Sequence, residues 1–274
     1  MSRQEILKEA LRLGRGLLAS TILLLTLAAP ASADKLDDIK ARGRLLVGVT
    51  ESSPPFSFLD PGKGIVGYDV DLADRVAKNL GVATEKIPII NAERIPALQQ
   101  DRVDVVAAGM TRSKGRAKDI DFSFAYLDSP HQVLLRKASG IVHIAQLAGR
   151  KLALVKSASV DAELKAAVPT LQIVLFDDYN AAFAALADGR VDGFLADKML
   201  LLWFAQRSGQ PADFALLEEY DLPRTAGFAV KKKEPRLLDF VNRTLLKLEA
   251  SGEAAKIYDA WFAPVPRTFR IQPD

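Results

Sequence analysis

Residues 103–116 read VDVVAAGMTRSKGR, and the fold is read outward from them. The run 103–108 is short and apolar, the pattern of a buried β-strand. Gly109 ends it and permits backbone angles or a close approach that a side chain would block. Thr111 and Ser113 follow where the turn is expected to pass into a helix, with Arg116 just beyond. A helix start offers unpaired N–H donors and positive potential, and a guanidinium grips both oxygens of a carboxylate. The stretch is therefore a candidate carboxylate receptor. Taken alone it reads equally well as an ordinary strand–turn–helix with Arg116 in a surface ion pair.

On either side the pattern repeats. A short helix over 36–41 leads into a strand over Arg44–Val49, and a strand over 86–90 leads into a helix ending near Gln100. Between them Asp69 is expected to cap a helix over 70–80. Asp69 and Asp71 are thus read as cap and dipole partners rather than a catalytic pair. Strand–helix alternation in short units implies an α/β layer with a parallel sheet. In such sheets ligands collect at the carboxyl ends of strands. Residues 50–56 (with Pro54, Pro55 and the aromatic Phe56), 91–94 and 109–116 all stand at such ends.

A second α/β run follows an extended crossing at 129–137. Strands over Lys151–Val155, Gln172–Phe176 and 193–196, the last ending at Asp197, alternate with helices over 160–167 and Tyr179–Ala187. A polar turn at 156–159 holds Ser157 and Ser159. Residues 223–230 cross back, Pro235 onward is helical to about Trp261 with a break at Ser251-Gly252, and the tail is irregular. Two α/β lobes joined by two crossings place a cleft between them, a common ligand location.

Composition narrows the classes. The chain is 49% hydrophobic and 26% charged, enough for two sizeable cores. It contains no cysteine, which excludes disulfides and thiol catalysis. Arg3, Lys8, Arg12 and Arg15 precede an apolar run at 17–29 and the site Ala31-Ser32-Ala33. That is the layout of a secretory signal peptide cleaved after Ala33, and the run is short for a membrane span. Cleavage lowers the net charge from +3 to about +1, which makes no case for nucleic acid. A secreted, soluble, unanchored protein fits a periplasm. No HExxH, CxxC, P-loop or GxSxG spacing occurs, so neither metal nor cofactor is expected. His131 and His143 read as structural, Trp203 and Trp261 as core, and 231–233 as a solvated face.

The blocks ESSPPFSF (51–58), GYDVDLA (67–73), ERIPALQ (93–99), GMTRSKGR (109–116) and SGEAAKIYDAWF (251–262), in that order, resemble the bacterial extracellular solute-binding proteins of family 3. The likeness is greatest to the glutamate/aspartate-binding branch and covers nearly the whole mature chain. It implies a type II periplasmic-binding-protein fold whose two lobes close on a ligand. Residues 34–134 and 229–274 would form lobe one and 135–228 lobe two. It further implies that Arg116 takes the ligand α-carboxylate, helped by Thr111 and by N–H groups near Ser157 and Ser159, and that Asp197 takes the α-ammonium. Phe56 would pack over the ligand and Arg94 would hold a side-chain carboxylate. Three positions depart from the branch. Thr50 stands where a second side-chain arginine is expected, and Asn91 and Gly109 where serine is common. The expected partner is an inner-membrane ABC permease, and the expected protein is a monomer and no enzyme. Two alternatives stay open: a cyclohexadienyl or arogenate dehydratase on the same fold, with Glu51 as its sole candidate acid or base, and a sensor for a membrane receptor.

Overall fold

In the computed structural model of this chain, residues 34–128, 130–156 and 162–273 are described, with only the backbone of Ala162 and Glu163. The expected signal peptide and the expected binding residues Ser157 and Ser159 lie outside the described residues. No helix among them is long and apolar enough to cross a membrane.

Helix α1 (Lys35–Arg42) starts at Asp34, whose carboxylate accepts from the Leu36 N–H at 2.9 Å, and stops at Gly43 in the left-handed region. Strand β1 (Arg44–Val49) follows as expected, then a small antiparallel sheet of β2 (Ser52–Ser53), β3 (Ser57–Asp60) and β4 (Gly64–Val66). Helix α2 (Tyr68–Leu80) begins earlier than expected, and Asp69 is not its cap. The N–H groups of Tyr68 and Asp69 donate instead to the carbonyls of Pro55 and Phe56 at 2.9 and 3.0 Å. Gly67 makes the turn at φ 145°, where a Cβ would stand 2.1 Å from the Phe56 carbonyl oxygen.

Strand β5 (Ala83–Pro88) leads to helix α3 (Arg94–Gln99), and then comes the stretch that began the reading. Residues 103–108 are all buried, yet only β6 (Val105–Val106) pairs as strand. No α-helix follows Gly109: residues Arg116–Lys118 form one 3-10 turn, so the expected helix-terminal potential is absent. Strand β7 (Ile120–Phe122) ends this part.

Strand β8 (Leu127–Asp128) carries the chain across to β9 (His131–Arg136), β10 (Lys151–Val155), helix α4 (Ala162–Ala167), β11 (Gln172–Phe176), α5 (Tyr179–Ala187), β12 (Gly193–Asp197), α6 (Lys198–Arg207) and β13 (Phe214–Leu216). Strand β14 (Thr225–Ala226) crosses back to β15 (Ala229–Lys231), α7 (Pro235–Ala250) and α8 (Glu253–Phe262). Sheet one runs β5-β1-β6-β15-β7 and sheet two β11-β10-β12-β9-β13. Both are mixed rather than wholly parallel, because β15 and β9 enter antiparallel from the crossings. The crossings pair with each other, Leu127 opposite Ala226 and Asp128 opposite Thr225, forming a two-stranded hinge. The first changeover falls a few residues before the expected 134, because β9 pairs with sheet two along its whole length.

Helices cover both faces of each sheet, and the strands alternate between them. Val105 joins the large core with α2 and α7, whereas Val106 joins a separate cluster with Leu98 of α3. In lobe two Ala153 and Val155 face the large core, and Leu152 and Leu154 face a third cluster. Trp203 and Trp261, expected in the core, lie at its margin. Both pack on Phe58, at 5.5 and 5.9 Å between ring centroids.

Candidate functional site

The lobes face each other across a narrow cleft. From lobe one it is lined by Ser53 and Phe56 beyond β1, Arg94 at the head of α3, and Gly109, Thr111 and Arg116 beyond β6. Lobe two contributes His131, Leu154, Tyr179, Leu195, Asp197 and Leu200, most of them at or near strand ends. The strand-end rule therefore brings together six of the expected residues: Phe56, Arg94, Gly109, Thr111, Arg116 and Asp197.

Arg94 is 4% exposed. Its Nε donates to the Asn91 carbonyl at 3.0 Å and its Nη1 to the Ala108 carbonyl at 3.2 Å. Two backbone oxygens fix the guanidinium plane, and Nη2 makes no hydrogen bond among the described residues. Burial pulls its pKa down, while Tyr179 and Asp69 oppose that shift. Arg116 donates from Nη1 to the Thr111 carbonyl at 2.9 Å, and its N–H donates to the Ser113 hydroxyl at 3.3 Å. Burial and then the positive charge of Arg94 lower its pKa to about 10, so it stays cationic at neutral pH. A buried guanidinium, Arg94, and a half-buried one, Arg116, facing one space make a strong receptor for anionic oxygens.

Gly109 sits at φ 56°, and a Cβ there would come within 2.9 Å of the Phe56 ring. The close approach that the sequence suggested is thus made to Phe56, 2% exposed in the cleft wall. The Gly109 N–H donates to Asp69, and the Arg112 N–H donates to the Thr225 carbonyl at 2.8 Å. Those two backbone donors are therefore already engaged within the protein, and Arg116 and Thr111 are the residues beyond Gly109 in this loop that line the cleft. Asp197 ends β12 and accepts from the Met199 N–H at 3.0 Å, capping α6 while lining the cleft.

Thr50 and Asn91 do not line the cleft. Thr50 is buried behind it, its Oγ1 2.8 Å from the Ser57 hydroxyl and its N–H donating to the same oxygen at 3.0 Å. Asn91 borders a separate surface depression with Glu51, Glu93 and Asp178. The strand-end rule reached Asn91, but the residue is buried beside that depression rather than in the cleft wall. Sequence reasoning missed Ser53, Tyr179 and the leucines, and read His131 as structural. The signal for Tyr179 is present in the sequence: it opens a helix just after the end of β11, the same kind of strand end that holds Asp197 and the turn expected at 156–159. Burial raises the Tyr179 pKa, with Arg94 opposing and Asp197 adding to the shift, so a neutral phenol faces the cleft. Its hydroxyl has no hydrogen-bond partner among the described residues.

The model of the bacterial extracellular solute-binding proteins, family 3, matches residues 45–264. The L-glutamate/L-aspartate-binding protein of Pseudomonas aeruginosa is 29% identical over 274 residues, covering 93% of this chain and 90% of that one. The ABC transporter glutamine-binding protein of Bacillus subtilis is 29% identical, covering 85% of this chain and 86% of that one. Among solved structures, a variant of ArgBP from T. maritima superposes with a TM-score of 0.78 at 32% identity, over 84% of this chain and 99% of that one. An ancestral amino acid-binding protein described as a precursor of cyclohexadienyl dehydratase gives 0.76 at 32% identity, over 83% and 99%.

Proposed function

The chain belongs to the bacterial extracellular solute-binding proteins, family 3, and on that premise we propose that it captures a polar or acidic L-amino acid, glutamate or aspartate first, for an ABC-type importer. The lobes close on the ligand about the paired crossing strands. One observation carries the acidic preference: the cleft wall holds two guanidiniums, Arg94 and Arg116, against one carboxylate, Asp197. An acidic amino acid brings two carboxylates and one ammonium, the complementary set. Arg116 with Thr111 takes the α-carboxylate, Asp197 the α-ammonium, and Arg94 the side-chain carboxylate. Phe56 covers the ligand, and Ser157 and Ser159 remain candidates for the closing edge of lobe two. ArgBP has an arginine-bound form, but a cationic side chain here would face Arg94 and be repelled.

The protein is placed in the periplasm after cleavage behind Ala33, as a monomer that binds rather than transforms its ligand. The dehydratase alternative needs an acid or base in the cleft; Glu51, its candidate from the sequence, borders the outer depression instead, and the groups of that kind that line the cleft are His131 and Asp197. The sensor reading would keep the same ligand chemistry and differ only in the membrane partner.

Thermal shift of the mature protein against the L-amino acids, prephenate and arogenate tests the reading. A ligand at a hundredfold excess over Kd stabilises the folded state by about 2.7 kcal/mol. Glutamate or aspartate should give the largest shift. Silence on every amino acid would overturn the proposal, and a response confined to prephenate or arogenate would favour the dehydratase.

A further inference from the structure

Asp69 carries a fully buried carboxylate that the binding scheme above does not use. It does not cap α2, because the first N–H groups of that helix go to Pro55 and Phe56. Burying a carboxylate without a cation in contact is expensive, so its two hydrogen bonds indicate what it does. Oδ2 accepts from the Gly109 N–H and from the Tyr126 hydroxyl, the latter at 2.9 Å. The Gly109 N–H belongs to the same peptide group as the Ala108 carbonyl, and that carbonyl accepts from Arg94 at 3.2 Å. One amide therefore stands between a carboxylate and a guanidinium, its N–H toward the first and its oxygen toward the second. Its dipole is aligned with both charges, so each bond strengthens the other.

We propose that Asp69 is a positioning residue: through the Ala108–Gly109 peptide it holds Arg94 in the cleft wall, and its charge sets how strongly the cleft prefers acidic over neutral amino acids. The inference rests on the amino-acid reading above and goes further by naming what tunes its selectivity. With Asp69 ionised, part of the Arg94 charge is offset and the cleft comes nearer to neutrality. Protonation removes that offset. Oδ1 has no hydrogen-bond partner among the described residues, so it takes the proton while Oδ2 keeps both of its bonds.

The groups acting on this carboxyl come from three directions. Tyr68 is its neighbour on α2, Arg94 faces it from α3, and Tyr126 reaches it from the segment before the hinge. Burial lifts the Asp69 pKa to about 6 against the opposing pull of the Gly109 N–H, the Tyr126 hydroxyl and Arg94. Both tyrosines are themselves pushed upward and stay neutral. The proton therefore binds as pH falls through about 6, and the preference for an acidic ligand rises in the same direction.

Calorimetric affinities for L-glutamate and L-glutamine, measured between about pH 5 and pH 8 on wild type, Asp69→Asn and Tyr126→Phe, test this. The two probes keep fixed charges over that range, and one unit of pKa coupling is a tenfold change. In wild type the glutamate-to-glutamine affinity ratio should rise about tenfold toward the acid end. In Asp69→Asn it should be high and flat, and in Tyr126→Phe the midpoint should move to higher pH. An Asp69→Asn protein that keeps the wild-type profile would assign the effect to another group and overturn the proposal. The Gly109 amide proton gives a second readout without ligand. It should titrate near pH 6 in wild type and not in Asp69→Asn. Should neither amino acid bind, the function reading fails while this titration still decides the Asp69 link: a flat amide shift overturns it.

Discussion

The two walls of the cleft differ in kind. Lobe one presents Arg94, Arg116, Thr111 and Ser53 around the Phe56 ring, whereas lobe two presents Leu154, Leu195, Ala196 and Leu200 with Tyr179, His131 and Asp197. All the arginine charge is on one side. A charged ligand approaching an open cleft is attracted mainly to lobe one, and the apolar wall of lobe two then displaces water. Exclusion of water lowers the local dielectric and strengthens every charge contact already made. Phe58 of lobe one packs on Trp203 of lobe two, so the walls are already in contact along one margin. On the proposed function, carboxylate recognition falls to lobe one, and lobe two adds Asp197 and the apolar cover that retains the ligand. Substitutions should separate the two roles.

The largest effect is expected at Arg116. Replacing it by alanine leaves a ligand carboxylate without its cation, a loss of about 3–5 kcal/mol or roughly 150- to 5000-fold in Kd. Calorimetry with L-glutamate reads this directly, and near-normal affinity would remove the carboxylate clamp from the scheme. Arg94→Gln comes next and should be selective. Glutamate affinity should fall roughly 10- to 100-fold and glutamine affinity only about threefold. Equal losses for both ligands would mean that Arg94 supports the wall without reading the side chain.

Gly109→Ala should be milder and of a different nature. The new methyl group meets both an unfavourable φ of 56° and the Phe56 ring. Strain of about 1–2 kcal/mol in folding stability is expected, with roughly tenfold weaker binding as the aromatic cover shifts. Paired melting and binding measurements check it: weakened binding without any loss of melting temperature would show that strain at Gly109 is not the cause.

Much of lobe one was legible because its signals are local. Apolar runs ended by glycine or followed by polar turns marked the strands, and the strand-end rule pointed to Phe56, Arg94 and Arg116. What escaped depends on long-range contacts. The carbonyls of Pro55 and Phe56 satisfy the start of α2, so Asp69, which reads as a helix cap, is free to reach Gly109 and Tyr126. Thr50 reads as a site residue by position, but its hydroxyl meets Ser57 across a hairpin, a pairing no local pattern encodes. The parallel sheets became mixed because β9 and β15 enter from the crossings, and strand direction is set by topology rather than composition. In lobe two the apolar residues that line the cleft look like any others in a buried strand. Leu154 and Leu195 differ from their neighbours only in lining the cleft.

Tyr179 gives the smallest effect and the sharpest test of the retention role. Its hydroxyl has no protein partner among the described residues, yet Arg94, Asp197 and Arg116 all act on it. On the proposed function, a neutral phenol in that field is placed to donate to a ligand carboxylate when the lobes close. Tyr179→Phe keeps the ring and removes only that bond, about 1 kcal/mol or roughly fivefold in Kd. Because lobe two closes after capture, the loss should appear in the dissociation rate, with association nearly unchanged. Stopped-flow rates resolve the two. If association slows instead, Tyr179 belongs to the capturing surface and the division between the walls is wrong. If neither rate moves, lobe two retains the ligand by apolar cover and Asp197 alone.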